Sequence, residues 1–244
     1  MFLRMVSITI RAELSAKIAS TYAENVITTL RTQPGCSFVA LLQNVSNRKE
    51  AISLTMWNSK ADADEYEKSG VFHRLVESLR SFYEGSSEWS LNLTEDLSIE
   101  YKPTPVEPTV AVFDDSEKYI TRLKETPYVV QIIRLFVQPV KSREFEETFN
   151  RSVLPKFRHQ KGCIHVVLLQ KENECTIISF WDETFDFQNS LGQGVIDFTR
   201  DIVSFLPADA RWKVMRKSSV VNSVSSEDIH SSMYRCLVGE WIAQ

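Results

Sequence analysis

The chain repeats itself. Gly35-Cys36-Ser37-Phe38-Val39-Ala40-Leu41-Leu42-Gln43 returns 127 residues later as Gly162-Cys163-Ile164-His165-Val166-Val167-Leu168-Leu169-Gln170. The same offset carries Ile18, Tyr22, Val26, Ile27 and Leu30 onto Phe145, Phe149, Val153, Leu154 and Phe157. An ungapped match that runs through a helical stripe and then a strand marks a duplicated domain. Positions apolar in both copies read as core. Positions that differ in polarity are where the copies have room to divide their work.

Each copy has the same order of patterns. In the first, residues 5–11 alternate as a strand. Ser15 is a plausible N-cap for a helix whose stripe is Ile18, Ala19, Tyr22, Ala23, Val26, Ile27 and Leu30. Gln33-Pro34-Gly35 stops that helix. Residues 36–43 form a strand with apolar side chains on both faces, so both faces call for cover. A polar turn leads to a returning strand at 51–57, and Ser59 then caps a second helical region. That region pauses at Ser69-Gly70, resumes with Phe72, Leu75, Val76, Leu79, Phe82 and Tyr83, and is followed by a closing strand at 89–93.

The second copy places strands at 128–137, 163–170, 175–181 and 212–215. Its first helix, 142–158, holds Pro155, which is expected to kink it. Val195, Phe198, Ile202, Phe205 and Leu206 mark its last helix. The domain reading is therefore a first repeat at 1–93, a linker at 94–127, a second repeat at 128–216 and an extension at 217–244. The linker holds Pro103, Pro105 and Pro108, with an edge strand foreseen at 109–113. The extension ends in the apolar run 233–242 and is expected to return as a strand. The fold class that follows is α+β: two ferredoxin-like β-α-β-β-α-β repeats packed sheet to sheet as an intrachain α+β barrel.

Composition limits the functions. The net charge of −4, with scattered lysines and arginines, offers no footprint for nucleic acid. No run reaches the roughly 18 apolar residues of a membrane span, so no membrane partner is expected. Residues 1–6 lack a cleavage site. The four cysteines include no CxxC pair, and Cys36 and Cys163 sit at matching strand positions. Both features fit a reducing, cytoplasmic compartment. There is no glycine-rich phosphate loop and no Ser-His-Asp ordering.

Pro34-Gly35-Cys36, the apolar strand after it, and Trp57-Asn58-Ser59-Lys60-Ala61-Asp62-Ala63 resemble the antibiotic biosynthesis monooxygenase (ABM) domain. In that family a Pro-Gly turn ends the first helix and Trp-x-Ser-x-x-Ala leads into the second. Val71-Phe72-His73-Arg74-Leu75 is similar to the family's histidine-bearing segment. The second copy keeps Gly162-Cys163 and Phe180-Trp181-Asp182. The resemblance covers residues 5–93 and, more faintly, 128–216. It implies a dimeric α+β barrel, here within one chain, as a monomeric pseudo-dimer or a homodimer of such chains. It also implies a small apolar or aromatic partner molecule, and the family includes cofactor-free oxygenases and heme binders.

On that resemblance His73 and Trp57 are the candidate catalytic residues, with Tyr66, Phe72, Arg80 and Trp181 as candidate substrate contacts. His73 is the candidate acid/base. Heme, through His73 or His165, is the alternative to a cofactor-free site. Heme-degrading relatives carry an Asn on the first strand, where this chain has Ser7, Thr9 and Gln131. Oxygenase relatives carry an Asn four residues before the Trp, where it has Ser53 and Ile177. The expected function is a cofactor-independent monooxygenase or oxidoreductase acting on a small aromatic or quinone-like molecule. A non-catalytic binding protein on the same scaffold is the second class.

Overall fold

An eight-stranded antiparallel sheet with helices on it carries the architecture, and a separate two-stranded ribbon accompanies it. The computed structural model describes residues 2–93, 99–105, 109–114, 128–171, 173–182, 200–211 and 229–242, with the side chains of 85–114 and 171 left aside. The chain divides into unit 1, Met1–Val112 with Leu237–Gln244, and unit 2, Phe113–Cys236.

In unit 1, β1 (Phe2–Thr9), β2 (Cys36–Asn44) and β3 (Glu50–Trp57) form an antiparallel sheet with β3 in the middle. Phe2 lies opposite Trp57, Arg4 opposite Thr55 and Val6 opposite Ser53. Side chains alternate faces along a strand. Phe2, Val6, Ile8, Val39, Leu41, Ala51 and Trp57 therefore face one way and join the core built with the helices. Leu3, Met5, Ile52, Leu54 and Met56 face the other way and are buried as well, as the doubly apolar strands require.

The first helix runs as α1 (Ser15–Thr21), a π-helical segment (Tyr22–Ile27) and α2 (Thr28–Leu30). It begins one residue earlier than the capping pattern implies. A 3-10 turn, Ala12–Leu14, precedes it, and Ser15 is its first helical residue rather than its cap. The Ser15 hydroxyl donates to the Ala12 carbonyl at 2.5 Å and accepts from Gln43 Nε2 at 2.7 Å. The second helical region is α3 (Lys60–Lys68), capped by Ser59, whose hydroxyl accepts from the Asp62 N–H, and α4 (Val71–Leu79).

Residues 89–93 do form a strand, β4 (Gly85–Leu93), but it pairs with β5 (Ile99–Pro105) in a separate hairpin. The edge place beside β1 goes to β6 (Thr109–Asp114). The prolines explain the arrangement: Pro103 and Pro105 cannot donate to a ladder and are tolerated in a two-stranded ribbon, where every strand is an edge.

Unit 2 repeats the plan with β7 (Tyr128–Phe136), β8 (Cys163–Lys171) and β9 (Glu174–Asp182), β9 again in the middle. Its edge place beside β7 is filled by β10 (Ile229–Trp241), through residues 229–235. The rest of β10 lies beside β2 in unit 1, where the Ile242 N–H bonds the Ser37 carbonyl and Arg31 pairs with Glu240. The strand order of the eight-stranded sheet is β6-β1-β3-β2-β10-β7-β9-β8, and the separate ribbon is β4-β5. Both units thus have the ferredoxin-like order, with the first strand between the third and an added edge strand. The closing strand read at 212–215 and most of the last helix of unit 2 lie outside the described residues; Ile202, Phe205 and Leu206 are buried in its core.

The first helix of unit 2 is α5 (Ser142–Thr148), a π-helical segment (Phe149–Val153) and α6 (Leu154–Arg158). Pro155 does not simply break it. The π segment starts at the residue aligned with Tyr22, so the feature recurs where unit 1 has Thr28 instead of proline. The last π bond runs from the Leu154 N–H to the Phe149 carbonyl, and Pro155 follows as the second residue of a fresh helical turn, where its missing N–H costs little.

The turn after each first helix needs its glycine. Gly35 and Gly162 have φ of 77° and 85°. Their carbonyls accept from the N–H groups of Asn58 and Asp182 at 2.7 and 2.9 Å, which ties the end of the third strand to the start of the second. A Cβ on Gly35 would lie 2.3 Å from Asp62 Cγ. Gly35→Ala is therefore expected to destabilise by about 2–4 kcal/mol, from a left-handed backbone and a displaced Asp62; a chemical-denaturation midpoint matching wild type would refute this. In unit 2, Trp181 is buried beside Phe157, with ring centroids 6.1 Å apart, and donates Nε1–H to Ser179. Trp181→Ala is expected to cost about 3–5 kcal/mol, read as a lowered melting midpoint.

Candidate functional site

Unit 1 holds a narrow cavity of about 40 Å³ between the β1–β3 face of the sheet and the helices over it. The sheet contributes Arg4, Val6, Ile8, Ser53 and Thr55; the π segment contributes Tyr22 and Val26; α3 and α4 contribute Tyr66 and Phe72, with aliphatic side chains beside them. Alternation along β1 and β3 puts Arg4, Ser53 and Thr55 on this face. They are the polar exceptions in an otherwise apolar stripe.

Arg4 dominates the electrostatics. It is 2% exposed, and Nε, Nη1 and Nη2 all lack a hydrogen-bond partner. Its ion-pair neighbour is Glu67, with Nη2 and Oε2 3.5 Å apart, and that glutamate is 52% exposed. The guanidinium lies over Phe72, with Cζ 4.0 Å from the ring centroid, and 5.7 Å from the centroid of Tyr66. Burial pushes the Arg4 pKa down, and Glu67, Tyr66 and Asp64 partly restore it. An arginine still keeps its proton under such conditions. The cavity therefore contains a desolvated positive charge with unused donors, an arrangement that costs stability unless something answers it.

Around this charge are hydroxyls. Tyr22 Oη and Ser53 Oγ are 2.6 Å apart. Thr55 Oγ1 accepts from Trp57 Nε1–H at 3.0 Å. Burial raises the Tyr66 phenol pKa well above its ordinary value, with Arg4 opposing, so Tyr66 stays protonated.

The candidate residues separate into two groups. Tyr66 and Phe72 line the cavity. Trp57 is fully buried and backs it: its ring stacks on Tyr66 at 4.9 Å and its indole N–H is taken by Thr55. His73 is exposed on α4, as helical phase dictates, because Val71, Leu75 and Leu79 are that helix's buried positions. Arg80 is exposed and pairs with Glu77 at 2.9 Å. Trp181 belongs to the core of unit 2. Arg4 and Tyr22 were not among the sequence candidates. The signal for Arg4 was present: a charge flanked at i±2 by Phe2 and Val6, with polar Gln131 at the duplicated position.

Unit 2 provides the comparison. The register that sets Arg4 against Thr55 sets Gln131 against Ser179. Trp181 donates to Ser179 as Trp57 does to Thr55. Gln131, however, is neutral and partnered: its amide donates to Ser231 at 3.2 Å and its carbonyl accepts from Ser179 at 3.4 Å. Tyr22 is replaced by Phe149 and Ser53 by Ile177. Among the described residues no group of three or more metal-ligating side chains occurs, and no helix is long and apolar enough to cross a membrane.

A sequence profile of the family described as antibiotic biosynthesis monooxygenase matches residues 1–78 and 128–194. Two suspected monooxygenases of known structure are similar over nearly the whole chain. The protein from Lactobacillus acidophilus NCFM has a TM-score of 0.62 at 9% identity, over 99% of this chain and 96% of its own. That from Fusobacterium nucleatum has 0.64 at 10%, over 98% and 94%. An anthrone oxidase-like protein has 0.56 at 12%, over 100% and 93%. At these identities the likeness is one of fold. The curated proteins contain no match to the chain.

His165 stands where unit 1 has Phe38, is buried, and is held neutral down to a pKa of about 4 by burial and by Arg158. A folded-state pKa below the unfolded value means stability that is complete above about pH 6.5 and lost as pH falls toward 4. The melting midpoint is expected to drop across that window, and His165→Phe is expected to remove about 2–3 kcal/mol of the acid loss. An acid limb unchanged in the variant would contradict the assignment.

Proposed function

Because the chain belongs to the antibiotic biosynthesis monooxygenase family, we propose that it is a cofactor-independent oxidoreductase that oxidises a small aromatic or quinone-like molecule in the cavity of unit 1. The observation that carries this reading is one buried cation, Arg4, in an otherwise mostly apolar cavity with hydroxyl donors beside it. At about 40 Å³ the cavity must widen to admit a ring; a ring that enters is favoured in its ionised form, because a positive charge in a dry environment stabilises an oxyanion far more than water-screened charge would. The fold likeness to an anthrone oxidase-like protein is consistent with a substrate of that general kind.

The chemistry needs little beyond this. An activated methylene next to a carbonyl or phenol ring loses a proton to water, and the charge spreads to the ring oxygen, which Arg4 would hold. The resulting anion passes an electron to O2; the radical pair couples to form a C–O bond and, after protonation, a hydroperoxide. Loss of the second C–H proton with cleavage of the O–O bond leaves a carbonyl and expels water. One oxygen atom stays in the product, the other leaves as water, and O2 is the oxidant. Tyr66 remains protonated and can donate to the oxygen. Tyr22 and Ser53 can fix the ring's orientation through their shared hydrogen bond.

The test is oxygen uptake by the purified chain with a panel of anthrone-like and hydroquinone substrates, with chelator present and no flavin or metal added. With the anthrone-like substrates the expected result is one O2 consumed per carbonyl formed, with one labelled oxygen retained from 18O2; a hydroquinone is expected to give its quinone and hydrogen peroxide, with no label in the product. No uptake above the uncatalysed rate across the panel would favour a binding protein on the same scaffold. A shift in the absorbance of added heme would instead favour the heme-binding alternative.

A further inference from the structure

We propose that the cavity of unit 1 recognises its ligand as an anion: an aromatic ring carrying an ionised oxygen, a carboxylate or a phenolate, whose charge pairs with Arg4. This rests on reading that cavity as the substrate site and names the class of molecule it selects. Three independent features of the molecule support it.

The first is the state of the guanidinium. All three of its nitrogens are without hydrogen bonds while the side chain is 2% exposed. Glu67, the carboxylate nearest to it, sits 3.5 Å away on a half-exposed side chain, so it can turn to water when another anion arrives. Asp64 acts only at longer range. Arginine's planar fork of donors suits a carboxylate or phenolate oxygen better than it suits a neutral ring.

The second is the packing. Phe72 covers one face of the guanidinium at 4.0 Å, which leaves its in-plane donors as the groups available to a ligand. The surrounding cavity is largely apolar. Once the side chains around the roughly 40 Å³ space move apart, an aromatic anion satisfies both parts at once, its ring against Val6 and Val26 and its oxygen against Arg4.

The third is the duplicate. The same strand position, in the same register beside a hydroxyl residue and a tryptophan, is occupied in unit 2 by a neutral, hydrogen-bonded glutamine. The fold therefore does not need a charge there. Unit 1 carries one, without a hydrogen bond and with a single half-exposed carboxylate 3.5 Å away, the expected condition of a binding residue in the absence of its ligand.

The experiment uses the full chain and the matched pair benzoate and benzamide, which differ in charge but hardly in shape, titrated at pH 7 by ligand-observed NMR or calorimetry. Benzoate is expected to bind at least tenfold more tightly than benzamide. In Arg4→Gln, which installs the unit 2 residue, and in Arg4→Met, the ratio is expected to fall below twofold while the melting midpoint stays level or rises, because a desolvated charge has been removed. Arg4→Lys is expected to retain part of the preference. Equal affinity for the two probes, absent benzoate binding, or a preference that survives Arg4→Met would overturn the proposal. A lower melting midpoint in both neutral variants would also overturn it, since that marks Arg4 as structural. Benzoate selectivity without any oxygen uptake would leave this proposal standing and remove the oxygenase reading. Oxygen uptake without benzoate selectivity would do the reverse.

Discussion

Strand β3 is hydrogen-bonded on both sides, to β1 and to β2, and this double pairing determines what the cavity contains. Because side chains alternate, a one-residue slip would exchange every side chain on one face for its neighbour. Arg4, Val6, Ser53 and Thr55 would then give way to Leu3, Met5, Leu54 and Met56. The register is secured at its end by the Gly35 carbonyl, which takes the Asn58 N–H, and by the close seat of Asp62 against Gly35. Asp62 in turn exchanges hydrogen bonds with the Ser59 that starts α3. One turn therefore locks the strand register and sets the start of the helix that brings Tyr66 over the sheet.

The energetic consequence is an uneven pair of repeats. In unit 2 the polar group on the first strand is neutral and its hydrogen bonds stay within the protein. In unit 1 the same place carries a charge with Phe72 on one face and one loosely held carboxylate nearby. A core selected for stability alone would not retain that arrangement, since a buried charge without good partners is less favourable than an apolar or satisfied polar replacement. At this strand position stability is given up in unit 1 and not in unit 2. Two further divergences fall in the same cavity: Tyr22 and Ser53, joined by a hydrogen bond, correspond to Phe149 and Ile177.

Much of this fold could be read in the sequence, because repetition separates structure from function. The Pro-Gly turn, the Trp-Ser junction, the helix stripes and the strands apolar on both faces all depend on local chemistry and period, and all are present. What could not be read follows from events without a local signature. The π segments insert a residue into a stripe that still looks like i, i+3, i+4. The fourth-strand place went to β6 rather than to residues 89–93 through long-range pairing that no window of sequence reports. Arg4 has a local signal only in its apolar i±2 neighbours, and its burial depends on β3 arriving beside it. His73 is the opposite case. It drew attention by residue type, yet it lies two residues from the buried Val71 and so about 200° around the helix, on the exposed side.

The π segments help explain how two copies diverged in chemistry without diverging in fold. In each repeat the wide turn begins at the residue that faces the sheet from the first helix, Tyr22 in one and Phe149 in the other. It persists whether the next turn opens on Thr28, whose N–H bonds the Ala23 carbonyl, or on a helix whose second residue is Pro155, which has no N–H to give. The backbone at this place is therefore indifferent to the side chains around it. That indifference lets a hydroxyl be gained or lost at one helix position and one strand position, and a guanidinium exchanged for an amide at another, with the register of the first and third strands kept. Among the described residues, Arg4, Tyr22 and Ser53 set against Gln131, Phe149 and Ile177 separate a copy whose first-strand polar group is closed by hydrogen bonds within the protein from a copy whose first-strand charge has one carboxylate beside it.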